Sequence, residues 1–398
     1  MEICKDTICT GCGLCSRVCP KSCIKMIENK EGFIHPITDE KLCVHCGLCK
    51  NKCPMNIDQL KWPAQFYMAW NKDEEVLQSS SSGGIFTALA QIVFAKNGIV
   101  FGAELDFATR KIRHVAIEKM TDLDRIRLSK YYQSDASSSY EEVKHYLDEG
   151  RWVLFSGTAC QIAALYSYLS KSRKDRLVTM DILCHGVTSK KVIDAYLKSK
   201  ENKYNKRIVK YYFRVKTEDI WWSRGGTSMK LVFEDGNVSY EHVSTDTFFT
   251  GFNSNIYLRE SCYNCHFCGS DRISDFTVAD FWGINKQIVP EKQLKLGISV
   301  LLVNTDKGRK LLEELTPYVA FEEVQPSAAS RRNRAFIEPN IRPNIRDAFF
   351  KNLKKGKDFD KTIHRLCYKH YAKQTTKKML NTLLGEQRTQ QMKRLLKH

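Results

Sequence analysis

Two runs of cysteine near the N-terminus have a spacing that suits iron–sulfur chemistry. Each run has the pattern C-x2-C-x2-C-x3-C followed by proline. The cysteines are Cys9, Cys12, Cys15 and Cys19 in the first run, and Cys43, Cys46, Cys49 and Cys53 in the second. In the bacterial ferredoxin pattern, the fourth cysteine of each run binds the cluster of the other run. The spacing therefore predicts two 4Fe–4S clusters and transfer of single electrons.

The crossed pattern assigns the ligands of both clusters. Cluster I is predicted to be held by Cys9, Cys12, Cys15 and Cys53. Cluster II is predicted to be held by Cys19, Cys43, Cys46 and Cys49. Two zinc sites are the alternative, but zinc ribbons rarely carry four cysteines per run with a trailing proline. Cys4 and Cys23 fall outside the pattern, and we expect them to be buried or spare thiols.

Composition favours a cytoplasmic redox protein. The chain has 398 residues and 16 cysteines, ten of them before residue 54, a density typical of metal ligation in a reducing compartment. No secretory signal is visible, and the longest apolar stretch, residues 85–95, is too short to cross a bilayer. We therefore expect a cytoplasmic location.

The remaining residues predict a larger body. Strand patterns over 98–102, 152–156, 178–183 and 298–303 alternate with helical patterns over 85–95 and 160–169, which favours mixed α/β structure. We predict an α+β fold with a small bacterial-type ferredoxin domain at 1–60, a larger mixed α/β domain at 61–345 and a basic helical tail at 346–398.

A third group of cysteines lies in this body. Cys160 and Cys184 each follow a predicted strand, where α/β folds place functional groups. Together with Cys262 and Cys265 they could hold another 4Fe–4S cluster. Alternatively, Cys160 and Cys184 are small buried hydrophobic residues, and zinc binds Cys262, Cys265, Cys268 and His266. Spacing alone leaves both interpretations open.

A loop rich in small residues precedes the 85–95 helix. Residues 79–84 are four serines and two glycines. Small residues let backbone N–H groups approach an anion, and a helix N-terminus adds positive potential. The loop is therefore a candidate site for the phosphate of a nucleotide cofactor. A flexible loop with a serine N-cap is the alternative.

These motifs, taken in order, resemble the coenzyme F420 hydrogenase/dehydrogenase beta subunit family. The matching pieces are the ferredoxin pair, SSGG at 81–84, KYYQS at 130–134, GTACQ at 157–161, CHG at 184–186, the pair Cys262 and Cys265, and residues 274–283. Two positions depart from the family pattern, because Ala159 stands where proline is usual and Cys268 is an additional thiol.

The resemblance implies an iron–sulfur flavoprotein with FAD beside a third 4Fe–4S cluster, and it favours the cluster interpretation for the third cysteine group. Coenzyme F420 is the substrate of the archaeal members. The matching residues expected to bind the flavin are Ser81, Ser82, Gly83, Gly84, Lys130, Tyr131, Gly157 and Thr158. No catalytic residue is assigned; His185 is the nearest candidate acid, and a structural role for it is expected.

Three functions remain open on this basis. The first is a flavin-dependent oxidoreductase that exchanges electrons with a small-molecule hydride carrier or a redox partner protein. The second is an electron-transfer adaptor without its own substrate, serving for example a redox step in polysaccharide biosynthesis, with which bacterial relatives are associated. The third is a redox-sensing binding protein that uses the basic tail.

The tail carries much of the positive charge. Residues 346–398 contain 15 Lys and Arg against four Asp and Glu, so this segment supplies +11 of the net charge of +18. Apolar residues at helical spacing over 359–371 and 379–396 predict basic amphipathic helices, which can bind an anionic membrane surface or an acidic partner. The alternative is a helix pair packed on the body. Nucleic acid is not expected, because no recognised binding module accompanies the charge.

Overall fold

The computed structural model describes residues 2–169, 175–217, 221–284, 289–369 and 371–372. The N-terminal segment has two short helices around an antiparallel hairpin: α1 (Leu14–Arg17), β1 (Ile24–Glu28), β2 (Ile34–Thr38) and α2 (Leu48–Asn51). A glycine with positive φ precedes each helix, Gly13 at 78° and Gly47 at 74°. Glycine adopts this left-handed conformation without steric cost, which explains its place in both cysteine runs.

The body contributes eleven strands within the described residues. They are β3 (Gln65–Asn71), β4 (Ile99–Asp106), β5 (Lys111–Ile117), β6 (Val153–Thr158), β7 (Leu177–Ile182), β8 (Ile208–Lys216), β9 (Thr227–Phe233), β10 (Val238–His242), β11 (Phe276–Asp280), β12 (Ser299–Val303) and β13 (Val319–Glu323). The main sheet has the order β13-β3-β12-β11-β7-β6-β4-β5, and a smaller sheet has the order β10-β9-β8.

Helices cover both sheets. They are α3 (Glu74–Gln78), α4 (Ile85–Ala95), α5 (Ser139–Asp148), α6 (Ala159–Tyr168), α7 (Lys190–Tyr204), α8 (Thr247–Asn253), α9 (Glu260–Tyr263), α10 (Glu291–Leu296), α11 (Asp306–Leu315), α12 (Pro326–Ser330), α13 (Arg346–Lys354) and α14 (Phe359–Leu366). The predicted fold class is confirmed, since a ferredoxin-like segment precedes a larger mixed α/β body.

The centre of the main sheet is parallel. Strands β4, β6, β7 and β11 run in the same direction, and antiparallel pairs form towards both edges. Parallel strands are normally covered on both faces. Here α4 and α11 pack on one face, around Leu154, and α5 and α6 pack on the other, around Phe155. The second face also receives the ferredoxin segment, so the cysteine runs lie directly against the sheet layer.

The first part of the predicted tail is integrated into the body. Phe349, Phe350, Phe359 and Ile363 are buried in the core that the small sheet shares with α7 and α8. This part therefore follows the packed alternative rather than forming a free amphipathic helix. Residue 370 and the second predicted apolar face, within 373–398, lie outside the described residues. No helix in the described ranges has the length and apolar character needed to cross a bilayer.

The docking of α1 on the body leads to a test with a matched control. A Cβ at Gly13 would lie 2.6 Å from the Cβ of Ser137, whereas at Gly47 the nearest atom would be the Asn51 Nδ2 at 3.8 Å. Both alanines incur about 1–2 kcal/mol of left-handed strain. Only Gly13→Ala should add about 1–3 kcal/mol for overpacking. Anaerobic denaturant unfolding measures the difference, and equal losses would show that the contact with Ser137 is unimportant.

Candidate iron–sulfur and cofactor sites

The four thiols predicted for cluster I lie together. The pKa of Cys12 is raised to about 11, mainly by burial; a backbone hydrogen bond from Leu14 opposes the rise, and the nearby thiols of Cys53 and Cys9 contribute to it. Burial first, and then the same neighbours together with Cys12, also raise the pKa of Cys15. The fourth cysteine of the second run is thus brought to the first run, as the crossed pattern requires.

The four thiols predicted for cluster II surround a second space. Cys19, Cys43, Cys46 and Cys49 line a surface cavity whose empty volume, including its open mouth, is about 300 Å³, and Cys46 is exposed. Cluster I is therefore the inner site, against the body, and cluster II the outer one.

The two cysteines outside the pattern lie beside these sites. The Cys23 Sγ is 3.3 Å from the Cys19 Sγ and also lines the outer cavity. The Cys4 thiol hydrogen-bonds with Cys53 and Cys9. Each predicted cluster site thus has a fifth thiol next to it. The sequence contained no signal for this arrangement, because neither cysteine has the motif spacing.

Two side chains of the body hold the cluster I loop by its backbone. The Gln133 amide donates to the carbonyl oxygens of Thr10 and Gly11 at 3.0 and 2.9 Å. The Arg259 Nε donates to the Cys9 carbonyl at 2.7 Å. Gln133 belongs to the KYYQS motif, but its contact with the ferredoxin segment was not predicted, and Arg259 was not identified at all.

The third cysteine group forms at the carboxyl ends of two parallel strands. Thr158 at the end of β6 pairs with Ile182 at the end of β7. Cys160 follows in the first turn of α6, and Cys184 follows β7 by two residues. Cys262 lies in α9. Ligands commonly bind at this edge of an α/β sheet.

All four thiols of this group line one cavity. The cavity has an empty volume of about 710 Å³, including its solvent-filled mouth, and contains Cys160, Cys184, Cys262 and Cys265 in its wall. Burial raises the pKa of Cys160 to about 12; a hydrogen bond with Thr158 opposes this, and the thiols of Cys265 and Cys262 add to it. The structure thus brings together four cysteines from three distant segments.

Cys268 and His266 also line this cavity, so the zinc alternative has its residues nearby. The Cys268 thiol donates to the Cys265 carbonyl oxygen at 3.2 Å. Burial and then the Cys265 thiol raise the pKa of Cys268, whereas the thiols of Cys262, Cys160 and Cys265 add to the effect of burial that raises the pKa of Cys184. Cys184 therefore lies near the other three thiols predicted for the third cluster.

The N-terminus of α6 favours an anion in this cavity. Thr158 and Gln161 form a capping box, which fixes the first turn beside Cys160. The positive end of a ten-residue helix is directed towards the thiols. Gly157 is closely packed here, because a Cβ would lie 3.1 Å from the Gln161 Oε1 and 3.3 Å from the His114 Nε2, so both side chains would have to shift slightly.

The serine-glycine loop lies elsewhere, against β3 and β12. A Cβ at Gly83 would be 2.6 Å from the Ala69 carbonyl oxygen, and one at Gly84 would be 3.0 Å from the Asn71 Cβ. Both glycines are therefore needed for packing, whatever approaches the loop from outside. The Ser81 hydroxyl accepts a hydrogen bond from the Ser129 N–H at 3.0 Å, and the Ser82 hydroxyl donates to the Ile298 carbonyl at 3.1 Å.

Two cations contact this loop, and a third follows a residue that contacts it. The Arg214 Nη2 donates to the Ser81 carbonyl at 3.3 Å, and the Lys216 Nζ donates to the Ser82 carbonyl at 2.9 Å. Lys130 follows Ser129, and its Nζ donates to the Arg127 carbonyl at 2.6 Å. Burial lowers the pKa of both lysines to about 7. Arg214 is paired with Asp280 at 2.6 Å. We call Lys130, Arg214 and Lys216 the cation pocket.

Tyr131 lies between the cation pocket and the third cysteine group. Burial raises the pKa of its hydroxyl, Arg214 opposes that rise, and the Asp280 carboxylate and the Cys184 thiol reinforce it. The Tyr131 ring packs against Phe213, with ring centroids 5.5 Å apart. The predicted flavin residues thus fall in two adjoining regions, with 81–84 and Lys130 on one side and Gly157 and Thr158 on the other.

Two further side chains are held by packing. Trp282, in the matching segment 274–283, stacks on Trp222 with ring centroids 4.9 Å apart. His185 lines the cysteine cavity, and its Nε2 is 3.3 Å from the Phe252 carbonyl oxygen. Burial lowers the pKa of His185, so it is neutral near pH 7.

Comparison with known proteins gives matches in both parts of the chain. Residues 150–328 match the family described as the C terminus of the coenzyme F420 hydrogenase/dehydrogenase beta subunit, and residues 8–57 match the 4Fe–4S dicluster domain. One similar solved structure is a chain from the F420-reducing NiFe hydrogenase complex of Methanosarcina barkeri. It is 17% identical, the match covers 81% of this chain and 94% of that one, and the TM-score is 0.45. No curated protein matches the sequence.

A buried ion pair supports the Cys265 loop and can be tested directly. The Arg272 Nη2 is 3.0 Å from the Asp181 carboxylate, and its Nη1 donates to the Phe267 carbonyl at 2.6 Å. Because Arg272→Met leaves a buried carboxylate unpaired, it should destabilise the protein by about 3–5 kcal/mol. Arg309→Met removes an exposed pair with Asp306 and should cost at most about 1 kcal/mol. Similar losses in denaturant unfolding would contradict the assignment.

Proposed function

We propose that the chain is an iron–sulfur flavoprotein of the coenzyme F420 hydrogenase/dehydrogenase beta subunit family, an electron-transfer oxidoreductase family whose C-terminal model matches residues 150–328. In this proposal it passes electrons between a hydride carrier and its 4Fe–4S clusters. The observation that carries the proposal is that Tyr131 is close both to Arg214 of the partly buried cation pocket and to Cys184 of the cavity lined by four thiols.

The cation pocket supports binding of the phosphates of FAD. A buried lysine without a carboxylate partner is costly, and an anionic ligand removes that cost. Among the described residues, neither Lys130 nor Lys216 forms an ion pair, and Asp280 is already paired with Arg214. The Ser81–Gly84 loop would contribute backbone groups at the same place. Bound there, the flavin would accept the two electrons of a hydride and release them singly.

The thiol cavity supports a third 4Fe–4S cluster held by Cys160, Cys184, Cys262 and Cys265. Four converging thiols suit this cluster, and the α6 N-terminus favours its negative charge. Thr10 and Met55 of the ferredoxin segment also line the cavity. The Cys12 thiol is close enough to raise the pKa of Cys160, after burial and the nearer thiols. This proximity favours an order in which the third cluster exchanges electrons with cluster I, and cluster I with cluster II.

The outer ferredoxin face favours a protein as the final donor or acceptor. Cys46 is exposed, and Leu42, Val44 and Leu48 are exposed around it. An apolar surface next to a cluster is suited to a redox partner. The same surface would serve the alternative function, an adaptor without its own substrate.

A screen of electron donors separates the two functions. The anaerobically purified protein should hold FAD and be reduced by one of NADH, NADPH or reduced coenzyme F420. Reduction by ferredoxin alone, with none of the hydride donors active, would favour the adaptor.

The third cluster predicts an iron count. Wild-type protein should contain about twelve irons, four for each of three clusters. Cys262→Ala should lower the count to about eight, keep the flavin and slow reduction of the ferredoxin clusters. Cys268→Ala is the matched control and should retain about twelve. Eight irons in wild type, or loss of four in Cys268→Ala only, would refute the ligand assignment.

The cation pocket predicts the effect of single lysine substitutions on FAD affinity. A charge-assisted hydrogen bond contributes about 1.5–3 kcal/mol. Lys216→Met and Lys130→Met should therefore each weaken FAD binding by about 10-fold to 100-fold in a fluorescence titration. Lys292→Met removes an exposed lysine paired with Glu74 and should leave the affinity unchanged. Wild-type affinity in both pocket variants would end the assignment of this pocket to FAD.

The lowered lysine pKa values predict how FAD binding depends on pH. Without ligand, both lysines lose their proton as the pH rises through about 7. A bound phosphate favours the protonated form, so binding should include proton uptake and weaken as the pH rises above about 7. Titrations across this range should show the slope in wild type and a smaller slope in Lys216→Met. A pH-independent wild-type affinity would contradict the prediction.

A further inference from the structure

Arg259 is a fully buried arginine at the junction of the ferredoxin segment and the body. Its side chain is 1% exposed. Besides the Cys9 carbonyl, the guanidinium donates to the Gln133 Oε1 and to the Ile34 carbonyl, both at 2.7 Å. The acceptors come from the cluster I loop, from β2 and from the body. Its position is therefore fixed from three sides.

No carboxylate compensates the charge of Arg259. Within the described residues, neither Asp nor Glu forms an ion pair with it, and its hydrogen-bond acceptors are neutral groups. The Nη2 is also 3.2 Å from the His35 Nε2, and exposed Asp6 is reached only beyond that ring, 3.6 Å from the Nδ1. A buried guanidinium without a counterion is strongly unfavourable.

Other buried arginines of this protein are paired with carboxylates. Arg346 is also 1% exposed, and its guanidinium lies 2.6 Å from Glu31 and 2.9 Å from Glu260. Arg272 pairs with Asp181. Arg259 instead has the Cys9 Sγ 3.9 Å from its Nη2. The sulfur of a predicted cluster ligand thus lies beside Arg259, where the other two arginines have carboxylates.

We propose that Arg259 is the counter-charge of cluster I and raises its reduction potential. Four thiolates make the bound cluster anionic, and reduction adds one negative charge. A cation held beside it in a water-poor interior stabilises the reduced form more than the oxidised form. The Arg259 backbone also contacts the third thiol group, because its carbonyl accepts a hydrogen bond from the Cys262 N–H at 2.9 Å. Its charge would draw electrons from the third cluster towards cluster I.

This proposal rests on the ligand assignment for cluster I and is tested by two substitutions. Arg259→Gln removes the charge, and Arg259→Lys keeps the charge but loses the forked hydrogen bonds. We expect Arg259→Gln to disfavour one-electron reduction of cluster I by at least tenfold, a lowering of about 59 mV. Arg259→Lys should change it much less. The measurement is an anaerobic EPR redox titration, with the midpoint of cluster II as internal control.

Lys52→Gln provides a matched control. Lys52 neighbours the ligand Cys53 but is only half-buried, with its Nζ on the Ser167 carbonyl at 3.0 Å. Because solvent screens this charge, its loss should shift cluster I less than the loss of Arg259 does.

Iron analysis separates this proposal from the ligand assignment. Fewer than eight irons in wild type would overturn the assignment of the two ferredoxin clusters. With iron retained, an unchanged midpoint in Arg259→Gln, or equal shifts in both Arg259 variants, would overturn the counter-charge. If Arg259→Gln loses the four irons of cluster I, the proposal requires Arg259→Lys to retain them, and equal loss in both variants overturns it.

Discussion

Two side chains of the body hold the backbone of the cluster I loop, and this contact determines where the ferredoxin segment lies relative to the third thiol group. Gln133 donates hydrogen bonds to the carbonyl oxygens of Thr10 and Gly11, and Arg259 donates one to that of Cys9. There is no space for a larger residue, because a Cβ at Gly11 would lie 2.7 Å from the Gln133 amide and 2.8 Å from Arg259. The inner cysteine run is thereby held beside the cavity that contains the third thiol group.

Local patterns were sufficient for the parts of the molecule that depend on local spacing. The helix expected over 85–95 is α4, and the strands expected near 152 and 178 are β6 and β7. Since parallel strands end at the same edge, Cys160 and Cys184 could be expected to meet. Their approach to Cys262 and Cys265 depended on the family resemblance, because no local rule connects segments about eighty residues apart.

The cation pocket could not be predicted for a related reason. Arg214 and Lys216 end β8, where the sequence shows an ordinary strand with charged residues, and nothing indicates that this end reaches Ser81 and Ser82. For Gly83 and Gly84, the sequence suggested a function that packing also explains. Their sequence suggested room for a phosphate, whereas Gly83 and Gly84 are also required for contact with Ala69 and Asn71. A small residue can therefore reflect an internal neighbour as well as an external ligand.

The close contacts between the ferredoxin segment and the body have a consequence for the path of the electrons. A soluble ferredoxin meets its enzyme by diffusion and can present either of its clusters. Here Gly13 is seated against Ser137, Lys52 reaches Ser167 and Glu31 reaches Arg346, so the segment is fastened to the body at several points. Such a module cannot swing or turn around. The architecture would fix the order in which electrons pass its clusters, and exchange with other proteins would occur at the outward face at Cys46.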